Sequence, residues 1–520
     1  MNTAPPRRKL PIGIQNLREI HEGGYYYVDK SGLAIDLIDS GKYFFLSRPR
    51  RFGKSLLVDT MKELFEGNQA LFTGLAAETR WNWSRRHPVI HISFADGVLH
   101  SRAELDRRIS GLLDEAAQRL GIVLEEASIP GRFSDLIRQA RRRLGAQVVV
   151  LVDDYDKPIR DHLDDPAVAA KMQAGLLNLY SVLKEADRYL EFVLLAGVTK
   201  FSTAGVFSGL NNLIDITLDE RWSALCGYTD ADVDSVFAPE LPGLDRDEIR
   251  RWYNGYNWGG QSVYNPFDVL LLLDTRQFRP YWFETGTPTF LVKVLAEQQF
   301  FTPDLSRLQS SLSLLSSFDV DRITPEALLF QTGYLTLHQT EQPLPGRWVY
   351  TLGYPNREVE TSLNNALLES YGVPEQAAFR QQNRLIERLQ DADPAGIQPV
   401  LHALFAGIPS DWYRRNPLAG FEGHYASVFY SHLAGLGLDL RVEDATSHGR
   451  IDLVLLLGAQ VFIFEFKVVT DQPEGTALAQ IRARGYADKY RSAEHTLHLI
   501  GIEFSRAARN IVGFEVETLT

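Results

Sequence analysis

Cysteine is nearly absent from this sequence, because Cys226 is the only one in 520 residues. A single cysteine excludes an internal disulfide and any zinc cluster built on cysteine ligands. Long apolar runs are also missing, and none approaches the roughly 20 residues that a membrane-spanning helix needs. No apolar run follows the Pro- and Arg-rich residues 1–9. The sequence therefore predicts no signal peptide and no membrane partner, and it favours the reducing cytoplasm.

The sequence has no excess of basic charge either. It contains 54 lysines and arginines and 66 aspartates and glutamates, which gives a net charge of −12. A globally basic nucleic-acid-binding protein is therefore excluded, and a nucleic acid would have to meet a local basic patch. One candidate patch is the basic side of a predicted helix over residues 133–144. A solvated basic face is the simpler interpretation of its arginines, which are Arg138, Arg141, Arg142 and Arg143.

The composition is that of an ordinary globular chain with room for several domains. Hydrophobic residues make up 45% and charged residues 23%, which is a usual balance for a packed fold. The length predicts two to four domains.

A phosphate-binding loop is predicted between residues 43 and 65. An apolar run at residues 43–46 indicates a buried strand, and Gly53-Lys54-Ser55 follows it across a short loop. Apolar residues then recur at helical spacing, at Leu56, Leu57, Met61, Leu64 and Phe65. Backbone N–H groups at such a helix start bind an anion, and the helix dipole favours the negative charge.

The same loop predicts how ATP would be held. Lys54 would reach the β- and γ-phosphates, and the Ser55 hydroxyl would take one Mg²⁺ position. The remaining nucleotide-binding residues are predicted to be Arg50, Arg51, Phe52 and Gly53. The usual pattern is G-x-x-x-x-G-K-[ST], but Arg48 stands where the first glycine belongs. A basic loop with a fortuitous Gly-Lys-Ser is therefore the alternative.

An apolar strand at residues 148–152 ends in two acids, Asp153 and Asp154, which is the shape of a Walker B strand. Such runs are typical of parallel sheets covered on both faces, and ligands collect at the carboxyl ends of the strands. Asp153 is the expected Mg²⁺ partner. Asp154 stands where ATPases of this kind usually have the Glu that orients the attacking water. Because the aspartate side chain is shorter, we expect it to affect the rate of hydrolysis more than the binding of ATP. The alternative is a strand that ends in a solvated acidic turn.

A third buried strand, at residues 189–197, leads into Thr199 and Lys200. A polar residue at this strand end can sense the γ-phosphate, so we predict that Thr199 contacts the nucleotide, with Lys200 as the other candidate. A plain turn explains the same residues equally well.

The middle of the chain is predicted to be mainly helical. Residues 230–300 are helical and aromatic, as in the helical lid of an ATPase. Residues 325–365 read as a helix followed by a hairpin, an order compatible with a winged-helix module. Residues 375–420 are predicted to be helical and to connect the two halves of the chain.

A second chemical constellation lies on a predicted hairpin near the C-terminus. If Gly458-Ala459 is its two-residue loop, Leu457 pairs with Gln460, and Asp452 then lies opposite Glu465. Because strand side chains alternate, Glu465 and Lys467 share one face. Two carboxylates on an apolar hairpin are costly unless something such as Mg²⁺ or Mn²⁺ compensates them. The alternative is an acid–lysine pair on a solvent face.

Chemical roles follow from these residue types. Asp452 and Glu465 are hard oxygen ligands suited to Mg²⁺ or Mn²⁺. Lys467 would activate the attacking water or stabilise charge on a scissile phosphate.

Two motifs carry a family resemblance at the N-terminal end. The chain reads RPRRFGKS at residues 48–55 and YVDK at residues 27–30. Together they closely resemble the AAA-ATPase-like proteins whose P-loop reads RPRRFGKS. Members of that family normally lack the first P-loop glycine, and many carry a PD-(D/E)XK nuclease-like domain at the C-terminus.

The C-terminal constellation resembles that nuclease motif. Asp452 and Glu465-x-Lys467 match it, with Ile451 in place of the proline. The resemblance implies a central mixed sheet flanked by helices. It also points to Glu422 as a third acidic metal ligand, and Gln480 matches a residue on the helix after the core strands.

We therefore predict an α/β chain in three segments. Residues 1–229 form an AAA-like P-loop ATPase domain, with a parallel sheet flanked by helices. Residues 230–374 form a helical lid and a candidate winged-helix region. Residues 375–520 form a PD-(D/E)XK-like α/β domain with a helical connector.

The leading hypothesis is an ATP-binding protein fused to a metal-dependent nuclease under nucleotide control. Its catalytic residues would be Asp154 for ATP and Asp452, Glu465 and Lys467 for nucleic acid, with DNA favoured over RNA. The alternative is a nucleotide-switched sensor or scaffold whose inactive nuclease-like domain only binds nucleic acid or protein. A pure ATPase motor is less favoured, because no second helicase-type signature is present. A homo-oligomer is left open.

Overall fold

The computed structural model describes residues 7–201, 212–285, 289–298, 300–312, 315, 324–409, 423–446, 449–492 and 494–519. The chain divides into two compact units. One comprises Met1–Thr285 and Gln309–Asn356, and the other Gly286–Leu308 and Arg357–Thr520. Within the described ranges, no helix combines the length and the apolar character that a membrane span requires.

The secondary structure is numbered in chain order. The strands are β1 (Tyr43–Ser47), β2 (Val89–Ser93), β3 (Val148–Asp153), β4 (Leu190–Gly197), β5 (Ile214–Asp215), β6 (Leu308–Ser310), β7 (Thr336–Leu344), β8 (Arg347–Gly353), β9 (Asp439–Thr446), β10 (Gly449–Leu457), β11 (Gln460–Val469), β12 (Thr496–Ser505) and β13 (Asn510–Leu519).

The helices are α1 (Leu17–Glu22), α2 (Ser31–Ser40), α3 (Lys54–Glu66), α4 (Ala77–Arg80), α5 (Arg102–Leu120), α6 (Ile129–Leu144), α7 (Lys157–Arg160), α8 (Pro166–Tyr180), α9 (Val182–Glu185), α10 (Asp230–Val236), α11 (Arg246–Tyr253), α12 (Pro266–Thr275), α13 (Tyr281–Glu284), α14 (Thr289–Glu297), α15 (Pro325–Thr332), α16 (Arg357–Ser370), α17 (Glu375–Gln390), α18 (Ile397–Ala406), α19 (His424–Ala434) and α20 (Thr476–Ala483).

The N-terminal sheet is parallel throughout and has the strand order β2-β3-β4-β1-β5. Every residue of β1 and β3 is buried, which accounts for their continuous apolar runs, because helices cover both faces of such a sheet. Because the strands are parallel, the carboxyl ends of β1, β3 and β4 lie side by side. The predicted parallel sheet flanked by helices is confirmed.

Aromatic side chains explain why the first compact unit extends beyond the predicted boundary at residue 229. The buried Phe52 ring of the phosphate loop lies 4.7 Å from the Tyr256 ring and 5.4 Å from the Trp258 ring, both nearly edge-on. Residues 230–285 hold helices α10–α13, so the predicted helical middle is confirmed. They pack on the phosphate loop within the same unit.

A helix followed by a hairpin is present where the sequence predicts it. Helix α15 precedes β7 and β8, which pair in an antiparallel manner, and β6 joins the other side of β8. The winged-helix interpretation of this order stays a prediction.

The C-terminal sheet is mixed and has the strand order β13-β12-β11-β10-β9. Its predicted hairpin is confirmed, because Leu457 pairs with Gln460 across the Gly458-Ala459 turn. Strands β11 and β12 run parallel, so the chain needs a crossover between them, and α20 lies in that crossover.

Gly501 on β12 allows α20 to lie against the sheet. A Cβ atom built on Gly501 would overlap the backbone nitrogen of Leu478, near the start of α20. Gly501 pairs with Glu465 in the parallel ladder. The absence of this one side chain therefore determines how closely α20 approaches Glu465.

We expect the substitution Gly501→Ala to displace α20, because overpacking of a well-packed contact costs about 1–3 kcal/mol. Hydrogen–deuterium exchange measured by mass spectrometry should show faster exchange over residues 476–483. Gly111→Ala is the matched control, since no atom lies within 4 Å of a Cβ built there. Unchanged exchange in the Gly501 variant would contradict the close approach.

Candidate functional site

Arg48, in place of the usual first P-loop glycine, is fully buried and anchors the phosphate loop. Its guanidinium donates to the carbonyl oxygens of Ser47 at 2.8 Å, Thr217 at 3.0 Å and Trp222 at 3.0 Å. It also lies 4.1 Å from the centroid of the Trp258 ring. Burial lowers the pKa of Arg48 to about 10, so the side chain stays charged at neutral pH. The departure from the usual motif is therefore a structural anchor.

Further contacts position the rest of the loop. The Trp282 indole nitrogen donates to the Arg50 carbonyl at 3.2 Å, and the backbone nitrogen of Gly227 donates to the Phe52 carbonyl at 3.1 Å. Gly53 precedes α3 with a φ of 85°, in the left-handed region that glycine adopts without strain. Arg51 shares that region with a φ of 68°, and its guanidinium lies over the Phe267 ring.

Lys54 is the first residue of α3 and lies almost completely buried beneath the loop. Its Nζ donates to the carbonyl oxygens of Arg48 at 3.0 Å and Pro49 at 2.9 Å. Burial is the main cause that lowers its pKa. The side chain of the next residue, Ser55, lies near Asp153 at the end of β3, where it opposes the rise in the pKa of that carboxylate. The structure thus brings together the serine and the aspartate predicted to share Mg²⁺.

A cavity of about 500 Å³ opens onto this helix start. Its lining combines the loop and the first turns of α3, Arg50–Leu57, with polar residues beyond β3 that include Asp154 and Arg160. The other part of the lining is largely apolar or aromatic and includes Ile14, Tyr27, Val28, Tyr228, Phe267 and Leu270. A lining that combines charged residues and a helix N-terminus with apolar and aromatic side chains suits the phosphates and the base of a nucleotide.

The two acids after β3 have different environments. Asp153 is buried, and burial, followed by the charge of Asp154, raises its pKa, while the nearby Ser55 side chain opposes the shift. Asp154 is half-buried, lines the cavity and has a φ of 49°. A left-handed conformation is uncommon for residues other than glycine, although aspartate adopts it more readily than most.

Asp156 is a buried carboxylate that the sequence analysis did not single out. It accepts hydrogen bonds from the backbone nitrogens of Val198 and Thr199, from the Thr199 hydroxyl at 2.6 Å and from Arg160 at 3.0 Å. Burial raises the pKa of Asp156, but Arg160 and the hydrogen bonds from Thr199 outweigh it, and the net pKa is lowered. The sequence feature that could have identified Asp156 is its place as the third acid in the run Asp153-Asp154-Tyr155-Asp156.

Thr199 and Lys200, the two residues predicted to sense the γ-phosphate, each contact a carboxylate of the protein in the structure. The Thr199 hydroxyl is bonded to Asp156, and the side chain is fully buried. Lys200 pairs with Asp215 at 2.6 Å. Among the described residues, neither Thr199 nor Lys200 is part of the cavity lining.

In the C-terminal unit, the hairpin brings the predicted carboxylates together. The Asp452 Oδ2 accepts a hydrogen bond from the Phe466 backbone nitrogen at 2.8 Å, beside Glu465. The Lys467 Nζ lies 3.3 Å from the Glu465 Oε1. Burial and then the charge of Asp452 raise the pKa of Glu465 to about 7, against the effect of Lys467. Burial likewise raises the pKa of Asp452.

Gln480 on α20 completes this cluster, as the family motif implies. Its side-chain amide donates to the Glu465 Oε1. The Glu465 side chain is 1% exposed, and its Oε2 has no hydrogen-bond partner within the described ranges. A buried carboxylate oxygen of this kind fits a divalent cation, which prefers hard oxygen ligands. Glu422, the third predicted ligand, lies outside the described residues. No set of three or more metal-ligating side chains is arranged around a metal position in the described part of the chain.

Glu503 on β12 is a further residue that the sequence analysis missed. It accepts hydrogen bonds from the backbone nitrogens of Glu474 at 2.6 Å and Thr476 at 2.7 Å, and from the Thr476 hydroxyl. Burial raises the pKa of Glu503, but these hydrogen bonds outweigh burial, and the net pKa is lowered. Glu503 thereby holds the start of α20, which carries Gln480. A lone acid within the apolar run at residues 499–504 was the available signal.

We expect Arg48→Gly, which restores the usual motif glycine, to destabilise the protein. The change leaves a cavity beside Trp258 and removes donors from two distant carbonyls, a loss of about 3 kcal/mol or more. Thermal unfolding followed by tryptophan fluorescence should show a clearly lower midpoint. Arg85→Gly is the control, because Arg85 is exposed in a loop of the same unit. Equal midpoints for the two variants would show that Arg48 is not an anchor.

We expect Glu465→Gln to stabilise the metal-free protein in a pH-dependent way. The folded-state pKa of about 7 lies above the ordinary value of 4.5, so wild-type stability falls as pH rises through this window. The variant should therefore be more stable at pH 8, by at most roughly 3 kcal/mol, and should match wild type below pH ~4.5. Urea unfolding in EDTA measures the difference, with the exposed Glu515→Gln as control. A difference independent of pH would contradict the raised pKa.

Comparisons with known proteins identify the family of each of the two domains. Residues 11–207 match the family model described as "Predicted AAA-ATPase", and residues 420–514 match the PD-(D/E)XK nuclease superfamily model. A protein of Azotobacter chroococcum mcd 1, described as "Uncharacterized protein in vnfD 5'region", is 57% identical over 515 residues, which cover 99% of each chain. No solved structure matches the chain. The chain therefore belongs to the same family as that Azotobacter protein, and it joins a predicted AAA-ATPase domain to a domain of the PD-(D/E)XK nuclease superfamily.

Proposed function

We propose that this protein binds ATP with Mg²⁺ at its phosphate loop and hydrolyses phosphodiester bonds in nucleic acid, with DNA as the expected substrate, at its C-terminal site. The bound nucleotide would control cleavage. The observation that carries the proposal is the convergence of Asp452, Glu465 and Lys467, with one buried carboxylate oxygen of Glu465 left unpartnered among the described residues. A water-excluded acid beside a lysine is unfavourable in a merely structural role.

At the nuclease site, Asp452 and Glu465 would hold Mg²⁺ or Mn²⁺, together with the predicted ligand Glu422. The metal, when bound, polarises a phosphoryl oxygen and lowers the pKa of a bound water. Gln480 holds the Oε1 of Glu465 and so fixes the carboxylate plane. Lys467 is 35% exposed, so its Nζ can meet both Glu465 and a phosphate that approaches from solvent. It would orient the attacking water or offset the charge on the scissile phosphate.

At the ATP site, the start of α3 would bind the phosphates. Lys54 would neutralise the β- and γ-phosphates, and Ser55 and Asp153 would share Mg²⁺. The loop residues Arg50, Arg51, Phe52 and Gly53 would surround the phosphates. Asp154 lines the same cavity and would orient the attacking water. Thr199, which is bonded to Asp156, would act on the nucleotide only through that carboxylate.

The expected partner is nucleic acid, and the expected location is the cytoplasm. The predicted basic patch lies on α6, where Arg138 and Arg142 are exposed. Arg143 is also exposed, and its guanidinium donates to the carbonyl of Gly121 at 2.9 Å. A homo-oligomer remains a prediction.

A nuclease assay tests the proposal directly. Single- and double-stranded DNA and RNA would be incubated with the full chain and Mg²⁺ or Mn²⁺, with and without ATP. We expect wild type to cleave and Asp452→Ala or Lys467→Ala to be slower by roughly 100-fold or more, as for lost electrostatic catalysis. The matched control is Lys489→Ala, because Lys489 is 37% exposed and also pairs with a carboxylate, Asp444. Lys54→Ala should remove any effect of ATP on the rate.

Two outcomes would count against the proposal. Equal cleavage by wild type and both site variants would mean that the activity lies elsewhere. Absence of cleavage, with nucleic-acid binding retained, would favour the nucleotide-switched sensor or scaffold in which the nuclease-like domain only binds.

A further inference from the structure

Arg160 lines the nucleotide cavity together with two cationic side chains of the phosphate-loop region, Arg50 and Lys54. Arg50 and Lys54 belong to the phosphate loop and α3, whereas Arg160 is the last residue of α7, which follows the acids of β3. The Arg160 side chain is only 10% exposed. Sequence reasoning identified no arginine for the nucleotide beyond those of the loop, because α7 is separated from the loop by about 100 residues.

The contacts of Arg160 hold its guanidinium in place and leave hydrogen-bonding capacity. Its NH1 donates to the Asp156 Oδ2 at 3.0 Å. Its buried Nε has no hydrogen-bond partner within the described ranges. A guanidinium offers five N–H donors in a rigid fork, and phosphate oxygens match that fork well.

The electrostatics of the three cations favour a multiply charged anion. Burial, and then the charge of Arg160, lower the pKa of Arg50. Cations held together in a partly desolvated cavity repel one another, and an anion with several charges relieves the repulsion.

The position of Arg160 relative to Asp154 indicates which phosphate it would meet. Asp154 and Arg160 both line the cavity, and Arg160 bonds to Asp156, two residues after Asp154. Asp154 is the residue proposed to orient the water that attacks the terminal phosphate. If Asp154 acts in this way, Arg160 would meet the terminal phosphate.

We propose that Arg160 binds the terminal phosphate of ATP in cis and is the residue by which the protein distinguishes ATP from ADP. This inference rests on the proposed binding of ATP at the same site. Asp156 links Arg160 to the end of β4, because the same carboxylate accepts from the backbone nitrogens of Val198 and Thr199. Binding of the third phosphate would thereby affect the end of β4, the strand that lies between β1 and β3 in the sheet.

The test compares affinities of the full chain for ADP and for a non-hydrolysable ATP analogue, measured by isothermal titration calorimetry with Mg²⁺. We expect Arg160→Gln to lose roughly 10-fold or more in affinity for the ATP analogue, the size of a lost charge-assisted hydrogen bond. ADP affinity should change by less than about 3-fold, which is within ordinary context effects. Arg160→Lys, which keeps a cation beside the buried Asp156, should retain part of the preference.

The control variant is Arg132→Gln. Arg132 is also a poorly exposed arginine of the same unit, it pairs with Asp114, and its Nε likewise has no partner among the described residues. It lies on α6, outside the cavity lining, so its ratio of ATP-analogue to ADP affinity should equal that of wild type. Thermal unfolding of each variant without nucleotide identifies any loss of fold.

The outcomes separate this inference from the proposed function. Equal losses of affinity for both nucleotides, or no loss, in folded Arg160→Gln and Arg160→Lys would overturn the role of Arg160 and leave ATP binding intact. A wild-type chain that binds neither nucleotide would overturn the proposed ATP binding, and this inference with it.

Discussion

A fully buried arginine, Arg48, carries the contacts on which the nucleotide site depends. Its guanidinium bonds to carbonyls at residues 217 and 222 and lies over Trp258, while its own carbonyl accepts from Lys54. The phosphate loop is thus held between the parallel sheet and the helical segment that follows it. In a glycine-first P-loop, backbone freedom shapes the turn at this position. Here a large side chain bonded to fixed carbonyls stabilises it.

Buried carboxylates play two different roles in this chain, and their hydrogen bonds separate the roles. Asp156 and Glu503 each accept several bonds, which lower their pKa values despite burial. Both act as structural clamps, one at the end of β4 and the other at the start of α20. Asp153 and Glu465 are buried with raised pKa values. Such acids are poised to take a cation or a proton, as expected of functional groups.

The two proposed active sites share no residue, but they are built in the same way. Each site pairs acids with a lysine, Lys54 in the first unit and Lys467 in the second. Each also depends on a neighbouring element that positions the acids. In the first unit α7 supplies Arg160, and in the second α20 supplies Gln480. Both elements are held by a buried carboxylate that the reaction itself would not use.

The amino-acid sequence by itself determined the local features of both sites. Apolar runs that end in charged residues predicted β1 and β3, and the Gly458-Ala459 turn predicted the pairing of Leu457 with Gln460. These features follow from residues close together in the chain, whose geometry is set by strand alternation and turn type. The motif residues Asp452, Glu465 and Lys467 follow from the same local rules.

Only the tertiary structure decided what those residues contact across the chain. The anchoring of Arg48 to Trp222, the bonds of Asp156 to Thr199, and the close approach of α20 to Gly501 each join residues that are far apart in the chain. The unit boundaries also differ from the predicted segments, since aromatic packing on Phe52 joins residues 230–285 to the ATPase sheet. Sequence periodicity reports which face of an element is buried, but not which partner buries it. That choice is made by packing and by the need to satisfy buried polar groups.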